Sequence, residues 1–154
     1  MFKQTRLLLL PFLLLFGAMQ VSADNTPATP SLYERLGGIY PIATVVDDFI
    51  ERLLVNDTLN ANPAIDAARH TVPKPGLKYL VTAFVAKAAG GPQSYSGRSM
   101  ETSHAHLNIT NAEWAAMMVD FHATLDQFKV PAAERAELVA LLESVKGGIV
   151  TSAP

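Results

Sequence analysis

The chain has 154 residues, 12 of them basic and 14 acidic, with 49% hydrophobic side chains and no cysteine. The acidic and basic residues are interspersed, which excludes the clustered Lys and Arg that nucleic-acid affinity rests on. The missing cysteine excludes disulfides and thiolate catalysis.

The first residues read as an address. Lys3 and Arg6 give a positive start, Leu7 to Met19 an apolar run interrupted by Pro11, and Val21-Ser22-Ala23 a small-residue cleavage site. The run is too short to span a bilayer, so residues 1–23 are expected to be a secretory signal removed on export, with a periplasmic destination and no membrane contact afterwards. Cleavage after Ala23 leaves 131 residues, ten basic and fourteen acidic, enough for one domain with a real core. Residues 24–30, polar and Pro-containing, read as a flexible leader, and 31–150 as the domain.

Leu32 to Gly38 reads as a short first helix stopped by Gly37-Gly38. Pro41 suits the first turn of a second helix, in which Ile42, Val45, Val46, Phe49, Ile50, Leu53 and Leu54 follow helical spacing. Asp47, Asp48, Glu51 and Arg52 fall on the other side, as a solvated face. Asn56 to Gly76 is rich in Asn and Pro and reads as a long irregular connection, with at most a turn or two of helix at Ala64 to Arg69. A third helix runs from Leu77 to Ala89 and ends at Gly90-Gly91-Pro92. Thr110 to Glu113 has the spacing of a capping box, opening a helix that carries Trp114, Met117, Met118, Phe121, Leu125 and Phe128. Pro131 begins a last helix through Leu138, Leu141, Leu142, Val145 and Ile149. No segment alternates as a half-buried strand does, so the fold is expected to be all-α.

Between the third helix and the capping box lies a polar stretch from Tyr95 to Thr110 that holds His104 and His106. If that turn is helical, Met100 and Leu107, four residues before His104 and three after, share a face with it. A neutral imidazole between apolar helices is what a haem iron needs on its proximal side. A core-edge histidine bonded to backbone fits the same pattern, and the residues alone leave the two readings level. His106, two residues on, points elsewhere, and no cysteine or acidic group completes a zinc site with it. His122 reads as a partly exposed helix residue, and His70 as a loop imidazole able to reach a buried site.

Together these motifs resemble the group I truncated haemoglobins, the two-over-two globins. The resemblance rests on Leu-Tyr-Glu-Arg-Leu-Gly-Gly at 32–38, Val-Val-Asp-Asp-Phe at 45–49 and Gly-Gly-Pro at 90–92. It continues through Tyr95-x-Gly97-Arg98-x-Met100-x-x-x-His104 and Val130-Pro131. It implies a two-over-two helical fold holding haem b, with His104 as the iron ligand and a diatomic gas (oxygen, NO or CO) opposite. It places Ile50 where the family usually has Tyr, and Leu77, Leu80 and Val81 where it commonly offers Gln or His, which implies a chamber poor in hydrogen-bond donors. Asn62-Pro63 stands in the region of the family's usual Phe-Phe pair, with extra residues after it. Phe49, Phe84, Met100, Trp114 and Met117 are expected as apolar walls, and Lys78 and Arg98 as partners of the haem propionates. The last helix has no histidine of the kind some members use to attach haem covalently.

These features point to an exported haem protein that binds a diatomic gas. One alternative is a haem enzyme turning over NO or peroxide with electrons from an unidentified reductase, although no residue resembles a peroxidase acid–base catalyst. The other is a globin-like binding module without haem, to which the absent Phe pair points.

Overall fold

The structure, a computed structural model, describes residues 29–151, so the signal and most of the leader lie outside it. These residues form eight α-helices: α1 Leu32–Arg35, α2 Ile39–Val55, α3 Asp57–Asn60, α4 Pro63–Thr71, α5 Lys74–Ala88, α6 Met100–His104, α7 Asn111–Gln127 and α8 Ala132–Val145. A 3-10 turn at Lys146–Gly148 comes last. Among the described residues there is no strand, only an isolated bridge between Ile109 and Val150. The all-α expectation holds.

α1 is held by a capping box, in which Ser31 Oγ accepts from the Glu34 N–H while the Ser31 N–H donates to Glu34. Gly37 and Gly38 both take positive φ, 87° and 85°, which only glycine does without strain, and so reverse the chain into α2. Along α2 the apolar stripe does what its spacing requires: Ile42, Val46, Phe49 and Ile50 are all buried. Phe49 meets Phe121 of α7 edge-on, with centroids 5.3 Å apart. Around that pair Leu32, Ala89, Leu125 and Leu138 complete one core cluster, while Ile42, Val46, Ile50 and Ala86 form a second between α2 and α5.

The segment Asn56 to Gly76 differs from its expected irregularity. Asn56 Oδ1 accepts from the backbone N–H groups of Thr58 and Leu59, and Asn62 Oδ1 from Ala64, so each asparagine caps a helix instead of making a loop. Pro63 occupies the first turn of α4, where its missing N–H costs nothing. Asn62 also donates to the Leu107 carbonyl at 2.9 Å, tying α4 to the turn after α6. The carboxylate of Asp48 is likewise not simply solvated. It accepts from Arg52, Gln127 and the fully buried Thr124 hydroxyl, the last at 2.8 Å, and so clamps α2 to α7.

Candidate functional site: a cavity beneath His104

The histidine loop is shaped by one aromatic ring. Tyr95 stacks edge-on against Phe84 of α5, with centroids 5.5 Å apart, and its hydroxyl donates to the Arg98 carbonyl at 2.7 Å. The ring lies so close over Gly97 that a Cβ there would sit 2.4 Å from the Tyr95 hydroxyl, so the Tyr-x-Gly-Arg spacing is a packing requirement. Ser99 then caps α6, its Oγ accepting from the Thr102 N–H at 3.1 Å.

His104 ends that helix half-buried, with Nδ1 2.7 Å from the Met100 carbonyl oxygen. A carbonyl can only accept, so Nδ1 carries the proton and Nε2 is left with a lone pair. Burial pushes the imidazole below its ordinary value and outweighs the Met100 hydrogen bond, which acts the other way; the nearby charges of His106 and Arg98 add to the lowering. The ring is therefore neutral at physiological pH and oriented by a backbone partner, the condition in which histidine binds a metal.

His104 and Met100 line a cavity of about 1110 Å³ between the helices. Ordinary ligand pockets hold roughly 300–1,000 Å³, so the space suits a large ligand. Phe49 and Ile50 reach it from α2, Leu77, Leu80, Val81 and Phe84 from α5, Trp114 and Met117 from α7, and Arg98 stands at its edge. Trp114, almost wholly buried, donates from Nε1 to Glu143 of α8 at 3.3 Å. Lys78 is placed elsewhere. Its ammonium is paired with Asp47 and with Glu51, and it faces a separate surface groove.

The family described as "Bacterial-like globin" matches residues 31–151. Among curated relatives, a group 1 truncated haemoglobin of Synechocystis sp. is 32% identical over 116 residues, covering 72% of this chain and 88% of that protein. One from Tetrahymena pyriformis is 25% identical over 125 residues, covering 79% and 94%. The chain is a truncated globin. The crystal structure of the Tetrahymena pyriformis truncated haemoglobin in its Fe(III) form superposes with a TM-score of 0.64 at 23% identity, over 80% of this chain and all of that one. A 2/2 haemoglobin from Synechococcus sp., solved in the cyanomet state with covalently attached haem, gives 0.62 at 25% identity, over 76% and 94%. Haem-based gas binding is the general function of this family.

Several residues of this globin that the sequence did not single out for the site also line the cavity. Tyr95, Leu54, Ile65, Arg69 and Leu138 all line it. Ile65 and Arg69 belong to α4, whose existence depends on the Asn62 cap, and Leu138 had the spacing of an ordinary core stripe. His70 and His106 also border the space, both well exposed, whereas Tyr79 is 66% exposed and lies in the groove with Lys78.

Proposed function

We propose that this globin holds haem b through His104 and binds oxygen, or another diatomic gas, on the opposite side of the iron in a donor-poor chamber. One observation carries the reading: the Nδ1 hydrogen bond to Met100 leaves Nε2 of a half-buried, neutral imidazole as the electron-pair donor beside a large apolar cavity. The residues fit the group. His104 supplies the iron ligand, Phe49, Phe84, Met100, Trp114 and Met117 supply apolar wall, and Arg98 supplies a cation for a propionate. When bound, haem supplies the coordination position that a gas occupies. Ile50, Leu77, Leu80 and Val81 offer that gas no side-chain donor, which favours rapid exchange over storage. The start of the chain, Lys3 and Arg6 before an apolar run and Val21-Ser22-Ala23, supports export to the periplasm.

The test is spectroscopic. The purified full chain reconstituted with haem should show a Soret band whose ferric and ferrous forms report an axial imidazole. His104→Ala should lose or shift it, and external imidazole should restore it. A Soret spectrum indifferent to residue 104 would overturn the assignment.

A further inference from the structure

Among the described residues, two buried side-chain polar atoms lack a hydrogen-bond partner, Arg69 Nε and Gln93 Oε1, and of the two residues only Arg69 lines the main cavity. The rest of its guanidinium is weakly engaged. Nη1 donates to Asn60 Oδ1, a neutral acceptor, and stands 3.9 Å from Asp66, whose carboxylate is about half exposed. A pair that long and that wet neutralises little charge. Of the other cations bordering the cavity, Arg35 is paired with Glu134 and Glu137 and Lys74 with Glu51, while Arg98 stands on the exposed edge. A buried N–H on a cation with no acceptor is costly, and such groups are rare unless something completes them.

We infer that Arg69 is an anion-receiving group of this cavity, its guanidinium completed by an anionic oxygen of a ligand. Two sources have that chemistry: a carboxylate of the bound porphyrin, or a small oxyanion such as nitrite admitted beside it. Arginine suits both, because its planar fork matches a pair of acceptor oxygens. The residue comes from α4, the helix that Asn62 caps and that borders the cavity. The inference rests on the haem reading for its setting, and its test separates the two.

The full chain is reconstituted with ferric haem, or with the dimethyl ester whose carboxylates are blocked. Haem loss to excess scavenger globin and titration with nitrite, both monitored at the Soret band, are then compared for wild type, Arg69→Gln, Arg69→Lys and Asn60→Ala. If a porphyrin carboxylate is the partner, Arg69→Gln should speed haem loss by about 10-fold or more and leave loss of the diester unchanged. If a small anion is the partner, haem loss should hold while nitrite affinity falls by about the same factor. Arg69→Lys, which keeps the charge but not the fork, should fall between wild type and Arg69→Gln, and Asn60→Ala, which removes the Nη1 acceptor and a bond to the Leu54 carbonyl but keeps the guanidinium, should reproduce neither change. Unchanged haem loss and nitrite affinity in Arg69→Gln, or the same change in Asn60→Ala, overturns the inference. The iron reading is checked apart, through quenching of Trp114, the chain's one tryptophan, by metal-free protoporphyrin. Quenching that favours the diacid over its diester in a chain that takes no haem keeps Arg69 and sinks the iron; no quenching by either sinks both.

Discussion

Ile50→Tyr is the sharpest probe of the donor-poor chamber. Ile50 is only 3% exposed, sits one residue from the Phe49–Phe121 contact, and forms cavity wall from α2. A tyrosine there brings a phenolic O–H to the cavity wall formed by α2. Oxygen on ferrous haem carries partial negative charge, and a hydrogen bond to it in a dry site contributes about 1–2 kcal/mol. That corresponds to roughly 5- to 30-fold in an equilibrium constant, and it should be expressed in the off-rate. Stopped-flow displacement of oxygen by CO should therefore show fast release from wild type and release about 5- to 30-fold slower from Ile50→Tyr. Release of CO, which is less polarised, should change little. Wild-type release as slow as that of the variant would refute the reasoning, because a donor would then already be present.

Two polar contacts that tie the fold together carry further expectations. Thr124→Val keeps the shape of a fully buried side chain but removes the hydroxyl that donates to Asp48, and should cost about 1–2 kcal/mol in denaturant unfolding. Glu113 gives a pH dependence. Burial alone would raise its carboxyl, but the Thr110 N–H, the Thr110 hydroxyl and the Asn62 amide outweigh that and hold it below its ordinary 4.5. A carboxyl lowered in the folded state contributes stability above about pH 4.5 and loses it as pH falls through the lower folded value. Glu113→Gln should therefore flatten the acid limb of a stability-against-pH curve, and an unchanged limb would remove this contribution.

The features legible in the sequence were those that depend on local periodicity. The α2 stripe, the Thr110 capping box and the i−4 relation of Met100 to His104 are each contained in a few neighbouring residues, so reading them needs no knowledge of the rest of the chain. Asn56 and Asn62 misled because the side-chain chemistry that caps a helix also closes a turn, and the residues C-terminal to each asparagine decide between the two. Asp48 looked solvated because its buried donor, Thr124, lies 76 positions away. Lys78 looked free for a propionate for the same reason: Asp47 and Glu51 that hold it are on α2, and nothing in its own helix announces them. The walls from α5 and α7 could be named as apolar stripes, but stripe spacing is the same for a sealed core and for a cavity.

The helix α4 shows what that distinction does to stability. None of its residues is buried, although Ile65, Ala68, Arg69 and His70 all border the cavity. α2 and α7, by contrast, bury four and five residues. Apolar burial stabilises by about 25 cal/mol per Å², so a helix with no buried residue lacks most of what holds its neighbours. Its ties to the rest of the fold include the Asn62–Leu107 and Arg69–Asn60 hydrogen bonds. Local opening should then cost far less than global unfolding, and the backbone amides of Asp66 to Val72 should exchange early in the haem-free chain. A ligand that fills the cavity presses apolar surface against Ile65 and Ala68, and binds the closed state more tightly than the open one. At a free concentration about 100 times its Kd, it stabilises that closed state by about 2.7 kcal/mol, a slowing of exchange of up to about 100-fold. Hydrogen exchange with and without haem measures this directly. Equal protection of α4 and of Val46 to Leu53 before loading would show that α4 draws its stability from contacts other than the cavity.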